Sequence, residues 1–321
     1  MNEKNKKIHS YLLNNESFFP IDTKSYPLLQ KYNYGSLLQE KNITTYVAWQ
    51  NTFFGLYKII NDCLCAVFFH EGRDIYWTIH RPKENAIYPL QPVIDILFEY
   101  CKKVSLPFLR IKFIDKDLVD EYEAVTGYTI QTAYYNNDRE YAYKIKDLAE
   151  LQGTANYYKR KRVKKLTENK DISVELITNN NVKLLPEIEN EWCSLQDCST
   201  CRAFYGCEKE AIEVLLEIFN DKIHHGLYIF DNNKPAGYII SEKISDKISF
   251  LYFGKSIIQD GFLFLIYKMY SEYTTDSEYM NINEDMGHEG LRKFKKMLSP
   301  YELWKKYMVT YSKNMPKEEK I

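Results

Sequence analysis

Net charge is nearly absent from this chain: 43 lysines and arginines stand against 44 aspartates and glutamates, a formal charge of −1. Coating nucleic acid by bulk charge is thereby excluded, and any phosphate contact must come from a local patch. Long apolar runs are missing too. Stretches such as Phe262–Tyr267 fall far short of the roughly 18 residues needed to span a bilayer. Met1–Lys7 is polar and basic and lacks the apolar core of a signal peptide. Together these absences predict a soluble, cytoplasmic protein with no transmembrane segment. Seven cysteines, an odd number, speak against a disulfide framework in such a chain. No Gly-x-Ser-x-Gly elbow, Walker loop or His-Glu-x-x-His pair is present.

What is present is ample core material: 45% of the 321 residues are hydrophobic, and the length suits roughly two domains. Leu56–Ile60, Cys63–Phe69 and Ile75–Ile79 are β-type runs, with turn residues at Asn61-Asp62 and at 71–74. Ile94, Leu97, Phe98 and Cys101 share one face of a helix near Gln91–Lys103. A strand at Phe108–Phe113, a helix at Lys116–Val125 and a strand at Tyr141–Ile145 follow. The second half repeats this order. It has a basic helix over Thr154–Asn169, a strand at Ile172–Ile177, a helix ending near Ser194 and an amphipathic helix at Glu208–Asn220. Strands at Leu227–Phe230, Ala236–Glu242 and Ile248–Phe253, then a helix at Phe262–Tyr273, precede strands at Tyr279–Asn283 and Tyr307–Tyr311. The pattern predicts an α+β protein of two domains, 1–150 and 151–321, with similar architecture but no visible sequence repeat.

Residues 281–296 are the most informative stretch. A strand-like run ends near Asn283, and a polar loop with two carboxylates, a histidine and two glycines leads into a helix near Glu289. Gly287 and Gly290 permit backbone angles that other residues resist and let a ligand come close. The helix start favours anions, and Arg292 adds a forked positive charge. Together with Asp285 these groups suit acyl transfer or anion binding. The competing reading is a capped turn followed by a solvated basic helix.

The loop also resembles a family pattern, Asn-x-(Asp/Glu)-x-Gly-x-x-Gly-Leu-Arg-x-x-Lys, carried here by Asn283, Asp285, Gly287, Gly290, Leu291, Arg292 and Lys295. It is found in the phosphatidylglycerol lysyltransferase C-terminal-like family. A second, looser match runs from Glu140-Tyr141-Ala142-Tyr143 through Asp147-Leu148, Leu151 and Gly153 to Lys159-Arg160, with departures at Lys161 and Leu166. The resemblance implies two tandem GNAT-like (acyl-CoA N-acyltransferase-like) domains with mixed, mostly antiparallel sheets. It further implies an aminoacyl-tRNA-dependent transferase with no bound cofactor, acting on a lipid, peptide or small-molecule acceptor.

Measured against that family, several positions stand out. Acetyl-CoA enzymes of this fold hold pyrophosphate with a glycine-rich loop. Counting from Gln259, the required small residues are replaced by Phe262 and Phe264, and only Gly261 can open the helix. Lys255 follows the preceding strand, but Gly254 stands where the family often has a carboxylate beside it. The run Tyr157–Lys165 has six basic residues in nine, among them Lys159, Arg160, Arg162 and Lys164. Like charges spaced i, i+4 repel, so a phosphate-bearing partner would relieve the run. Tyr157 and Tyr158 could stack on bases. An aminoacyl-tRNA acceptor arm, peripheral anionic lipid or a CoA phosphate would each suit it; the plain alternative is a solvated face.

Cys193, Cys198, Cys201 and Cys207 match a structural zinc or an iron–sulfur cluster in number. The expectation is nevertheless no metal, with some of these thiols packed as small hydrophobes. His224 and His225 are adjacent on a strand, so only one can enter a cleft. The expected working residues are therefore Asp285 to accept or orient the acceptor's proton, with Arg292 and Lys255 to stabilise developing charge or hold phosphate. Asn283, Gly287 and Gly290 would shape the site, and the basic helix would dock the donor. An acyl-CoA N-acyltransferase with an altered loop, and a degenerate binding module, are the alternatives.

Overall fold

The structure is a computed structural model that describes residues 1–33, 35–70, 74–82, 89–135, 138–195, 206–258, 261–274 and 276–313. The chain divides into two compact units. One holds Met1–Asp138 and the segment from Lys305 onward; the other holds Arg139–Trp304.

The first unit contains β1 (Phe19–Pro20), β2 (Leu56–Ile60), β3 (Cys63–Phe68), β4 (Tyr76–His80), β5 (Phe108–Ile114) and β6 (Thr129–Tyr134), with helices α1 (Glu3–Asn15) and α2 (Leu90–Lys103). The second contains β7 (Glu140–Lys144), β8 (Ile172–Leu176), β9 (His224–Asp231), β10 (Lys234–Lys243), β11 (Ile248–Ser256), β12 (Tyr279–Asn281) and β13 (Glu302–Trp304). Its helices are α3 (Ile145–Glu150), α4 (Tyr157–Asn169), α5 (Leu185–Ser194), α6 (Glu208–Ile218), α7 (Phe262–Tyr273) and α8 (Glu289–Met297). The last strand, β14 (Tyr307–Ser312), belongs to the first unit's sheet.

Both sheets have seven strands and the same plan. The first runs β1-β2-β3-β4-β5-β14-β6 and the second β13-β7-β12-β11-β10-β9-β8. In each, four strands pair antiparallel, one parallel pair follows (β4 with β5, β11 with β12), and two antiparallel strands complete the sheet. The strand that follows β6 in the chain, β7, lies between β12 and β13, and the strand that follows β13, β14, lies between β5 and β6. The first unit thus takes its sixth strand, β14, from beyond its own run of sequence, whereas the second takes β7 from the very start of its run. The division therefore differs from the expected boundary at 150: it falls near 138, and the chain's last strand returns to the first unit.

Local chemistry explains most spans. Asn61 and Asp62 at φ +47° and +61°, and Asn232 and Asn233 at +51° and +59°, make two-residue hairpin turns whose left-handed backbone matches strand twist. In the second unit, Leu227, Ile229, Ile239, Leu251 and Met280 form one sheet face, packed on Phe262, Leu265, Ile266 and Tyr270 of α7. The other face meets α5 and α6: Tyr238 bonds Glu189, and Lys255 bonds Glu208. No helix among the described residues is long and apolar enough to cross a membrane.

Candidate functional site

The parallel pair β11–β12 is short. Ile248, Ser249 and Phe250 pair with Tyr279, Met280 and Asn281, and there the pairing stops while β11 runs on to Ser256. Just past that point β11 carries a bulge: Phe253 faces Ile240 and Leu251 faces Ser241, so Tyr252 is the extra residue. Bulges bend a strand and raise its twist, and they cluster near active sites. The two strands therefore part, opening the sheet between residues 251–256 and the loop that leaves β12.

That loop is locked. Asn283, Met286 and Gly287 hold φ of +61°, +50° and +76°, a path that favours glycine where no side-chain bond compensates. Asp285 is buried, and its oxygens are fully engaged. Oδ2 accepts from Tyr141 Oη at 2.7 Å and Arg292 Nε at 2.9 Å. Oδ1 accepts from Gly287 N at 2.9 Å and Arg292 Nη2 at 3.0 Å. Burial alone would raise its pKa, but the bonds from Arg292, Tyr141 and the Gly287 amide outweigh burial and hold that constant at about 2. Burial and the neighbouring carboxylate push Tyr141 up to about 12. Lys295, also buried, donates to the carbonyls of Ile282, Asn283 and Glu284 at 2.6, 3.1 and 2.5 Å. Tyr143 Oη in turn donates to the Lys295 carbonyl at 2.7 Å. The motif residues thus form a clamp around a strained loop. Gly290 is open, with no atom within 4 Å of where a Cβ would stand.

Asp285 and Arg292 are brought together, but as a forked pair within the loop. A carboxylate with both oxygens occupied and a constant near 2 has little drive to take a proton from an amine. Arg292 keeps an outward edge, its side chain 34% exposed.

Lys255 lies on the face covered by α5 and α6. Its ammonium pairs with Glu208 at the start of α6 and sits 3.8 Å from the ring centroid of Trp192. Glu189, fully buried, accepts from Tyr238 Oη at 2.9 Å and from Cys193 Sγ at 3.8 Å. Burial opposes the charge on Lys255, yet Glu208 and Glu189 together raise its constant. Burial raises that of Glu189 against the pull of Lys255. Gly254 leaves the lysine without a carboxylate beside it in sequence, and two glutamates from separate helices stand near it instead. Nothing in their spacing, 66 and 47 residues before the lysine, announces them.

The basic run in α4 divides in two. Lys159 is buried and donates to Ser299 Oγ at 3.0 Å, and Arg160 donates to the carbonyls of Leu151 and Gly153 at 2.5 and 2.7 Å. These two hold the fold together. Arg162 and Lys164 are exposed, as are Tyr157 and Tyr158, and Lys164 has a solvent-facing partner in Glu168. The stem of Arg162 packs at the start of α7: a Cβ on Gly261, which caps that helix at φ +90°, would stand 3.0 Å from Arg162 Cδ. Gln259 lies outside the described residues, as do Cys198 and Cys201. Among the described residues no three His, Cys, Asp or Glu side chains converge as a metal requires. His224 is buried and its constant falls to about 4 through desolvation; Nδ1 accepts from Asn220 N at 3.1 Å, a turn contact.

Residues 66–310 match the family model described as phosphatidylglycerol lysyltransferase, C-terminal. No curated protein shows a significant sequence match. Among solved structures, a conserved protein of unknown function from Bacteroides thetaiotaomicron is similar at TM-score 0.79 and 20% identity, covering 92% of this chain and 99% of that one. L-PGS from Bacillus licheniformis is similar at TM-score 0.58 and 11% identity, covering 92% of both chains. FemX is similar at TM-score 0.57 and 11% identity, covering 91% of this chain and 96% of that one. The fold is the tandem GNAT-like one, in two mixed, mostly antiparallel sheets.

Proposed function

This chain belongs to the phosphatidylglycerol lysyltransferase C-terminal family, and we propose that it transfers an activated aminoacyl group to an amine or hydroxyl acceptor at the opening between β11 and β12. The observation that carries this reading is the early end of the β11–β12 pairing at Phe250–Asn281, beside a bulge and between two ordered polar clusters. An aminoacyl-tRNA ester is already activated, so the protein need mainly align the acceptor and stabilise charge.

In this reading Asp285 is a positioning residue that keeps Arg292 and the 283–288 loop at the edge of the opening. The outward edge of Arg292 takes a donor phosphate. Asn283, Gly287 and Gly290 shape the loop so that backbone can approach the ligand. Lys255, held by Glu208, marks the acceptor side and orients a phosphate- or hydroxyl-bearing acceptor, as a lipid would present. Arg162 and Lys164 dock the donor's nucleic-acid end; Lys159 and Arg160 support that helix from within.

A second reading, an acyl-CoA N-acyltransferase, draws on Arg162 packed against Gly261 at the start of α7, where a pyrophosphate would also be welcome. The purified protein should be offered labelled aminoacyl-tRNAs and labelled acetyl-CoA, with phosphatidylglycerol vesicles and amine acceptors. Consumption of aminoacyl-tRNA is expected. Consumption of acetyl-CoA alone would favour the second reading, and consumption of neither would leave a binding module.

A further inference from the structure

Among the described residues the second unit has six buried tyrosines: Tyr141, Tyr143, Tyr228, Tyr238, Tyr267 and Tyr270. Five of their hydroxyls are hydrogen-bonded: Tyr141 to Asp285, Tyr143 to the Lys295 carbonyl, Tyr228 to the Asn181 carbonyl, Tyr238 to Glu189 and Tyr270 with Ser241. Tyr267 is 6% exposed, and its hydroxyl has no hydrogen-bond partner among the described residues. The hydroxyl keeps contact with solvent, so its free donor is open to a ligand and asks for a reason.

Its position supplies one. Tyr267 projects from α7, beside Phe294, toward β11. Its Oη lies 3.7 Å from where a Cβ on Gly254 would stand, and the next atoms, on Ile239 and Leu251, are 3.8 Å away. Gly254 has an ordinary strand backbone, so its φ does not call for glycine. The room beside it therefore fits about one methyl, bordered at contact distance by Tyr267 Oη, Ile239 and Leu251, and it lies on the last third of β11 where β12 has parted.

We propose that Tyr267 is a catalytic residue, donating a hydrogen bond to the carbonyl oxygen of an acyl donor that reaches into the methyl-sized space beside Gly254. The proposal rests on the acyl-transfer reading above. The acceptor's lone pair forms the new bond to the carbonyl carbon, and the carbonyl π pair moves to the oxygen that Tyr267 holds. That pair returns as the bond to the donor oxygen breaks, and the proton lost by the acceptor goes to the departing oxygen. Tyr267 stays protonated throughout, consistent with burial that pushes its constant well above the usual phenol range.

The test uses the full chain. Tyr267→Phe removes only the hydroxyl, so transfer should fall roughly 100- to 1,000-fold while the melting temperature holds or rises. Gly254→Ala adds a methyl that meets nothing closer than 3.7 Å, so the fold should be unharmed. The same methyl stands where the donor would, so transfer should fall at least about tenfold. Wild-type transfer rates in both variants would overturn the proposal. If the wild type itself transfers nothing, the function reading fails separately. Calorimetry with a non-hydrolysable aminoacyl-adenosine amide then decides the site. Binding weakened at least about tenfold by Tyr267→Phe would keep the hydroxyl as a ligand contact. Equal binding, or none by the wild type, would remove it.

Discussion

Two parts of the second unit face the same opening and differ in every respect that matters. The loop from Asn283 to Lys295 has its strained backbone clamped by Asp285, Arg292, Tyr141 and Lys295, each bonded within the loop or to β7. The corner formed by Gly254 and Tyr267 has room and an unanswered hydroxyl. The loop carries the recognisable motif; the corner carries none. A motif can therefore record what holds a site's wall in place, while the group that meets the substrate is a tyrosine in an apolar helix. Rigid walls and a few unsatisfied groups are what pre-organised sites need.

The comparison can be broken most forcefully at Lys295. Replacing it with Met leaves three loop carbonyls without their shared donor, so the fold should lose about 3 kcal/mol by denaturant titration. A loss below about 0.5 kcal/mol, within the range of ordinary surface substitutions, would show that the loop is not clamped. Asp285→Asn comes next. It removes the charge that Arg292 grips, and a loss of about 2 kcal/mol is expected, reduced because one edge of the pair meets solvent. Arg292→Lys should lower the melting temperature in the same direction, since an ammonium cannot make both bonds of the fork. In both variants activity should fall with stability. Full thermal stability with activity lost would return Asp285 to the chemistry.

Acid gives a third lever. The folded Asp285 constant of about 2 lies below the ordinary value of 3.8. Its contribution is thus present above about pH 4 and lost as pH falls from about 4 towards 2. The wild type should lose about 2 kcal/mol more than Asp285→Asn across that window. Parallel acid-unfolding curves would contradict the assignment. The smallest effect on stability belongs to the helix surface. Neutralising Arg162 and Lys164 should leave the fold intact and flatten the salt slope of tRNA or anionic-lipid binding by about two units. Neutralising the buried Lys159 should act through stability instead.

Much of this was legible in sequence, for identifiable reasons. Leu56–Ile60 and Phe262–Tyr273 match their expected spans because hydrophobic period and turn residues agree there. α1 escapes notice because only Asn5, Ile8 and Leu12 of its thirteen residues are buried, too sparse a stripe to read as a period. β6 escapes because its side chains are half-buried or exposed and show no alternation. The insertion of β7 between β12 and β13, and the return of β14 to the first sheet, join partners far apart in the chain, which local pattern cannot hold. Asp285 and Arg292 could be placed together because they share one loop and the start of the helix that follows it. Tyr267 and the two glutamates at Lys255 were hidden, one inside an apolar run and the others in helices distant in sequence.

The central claim is that the acyl donor lies where β11 and β12 part. Backbone amide NMR of the full chain, titrated with a non-hydrolysable aminoacyl-adenosine amide, tests it most directly. The account predicts shift changes concentrated at residues 251–256 and 282–288, absent in Gly254→Leu. The second unit has another groove, a cavity of about 1000 Å³ lined in part by Lys146, Gln152 and Lys268. Changes confined to that groove, with 251–256 unmoved, would contradict the account.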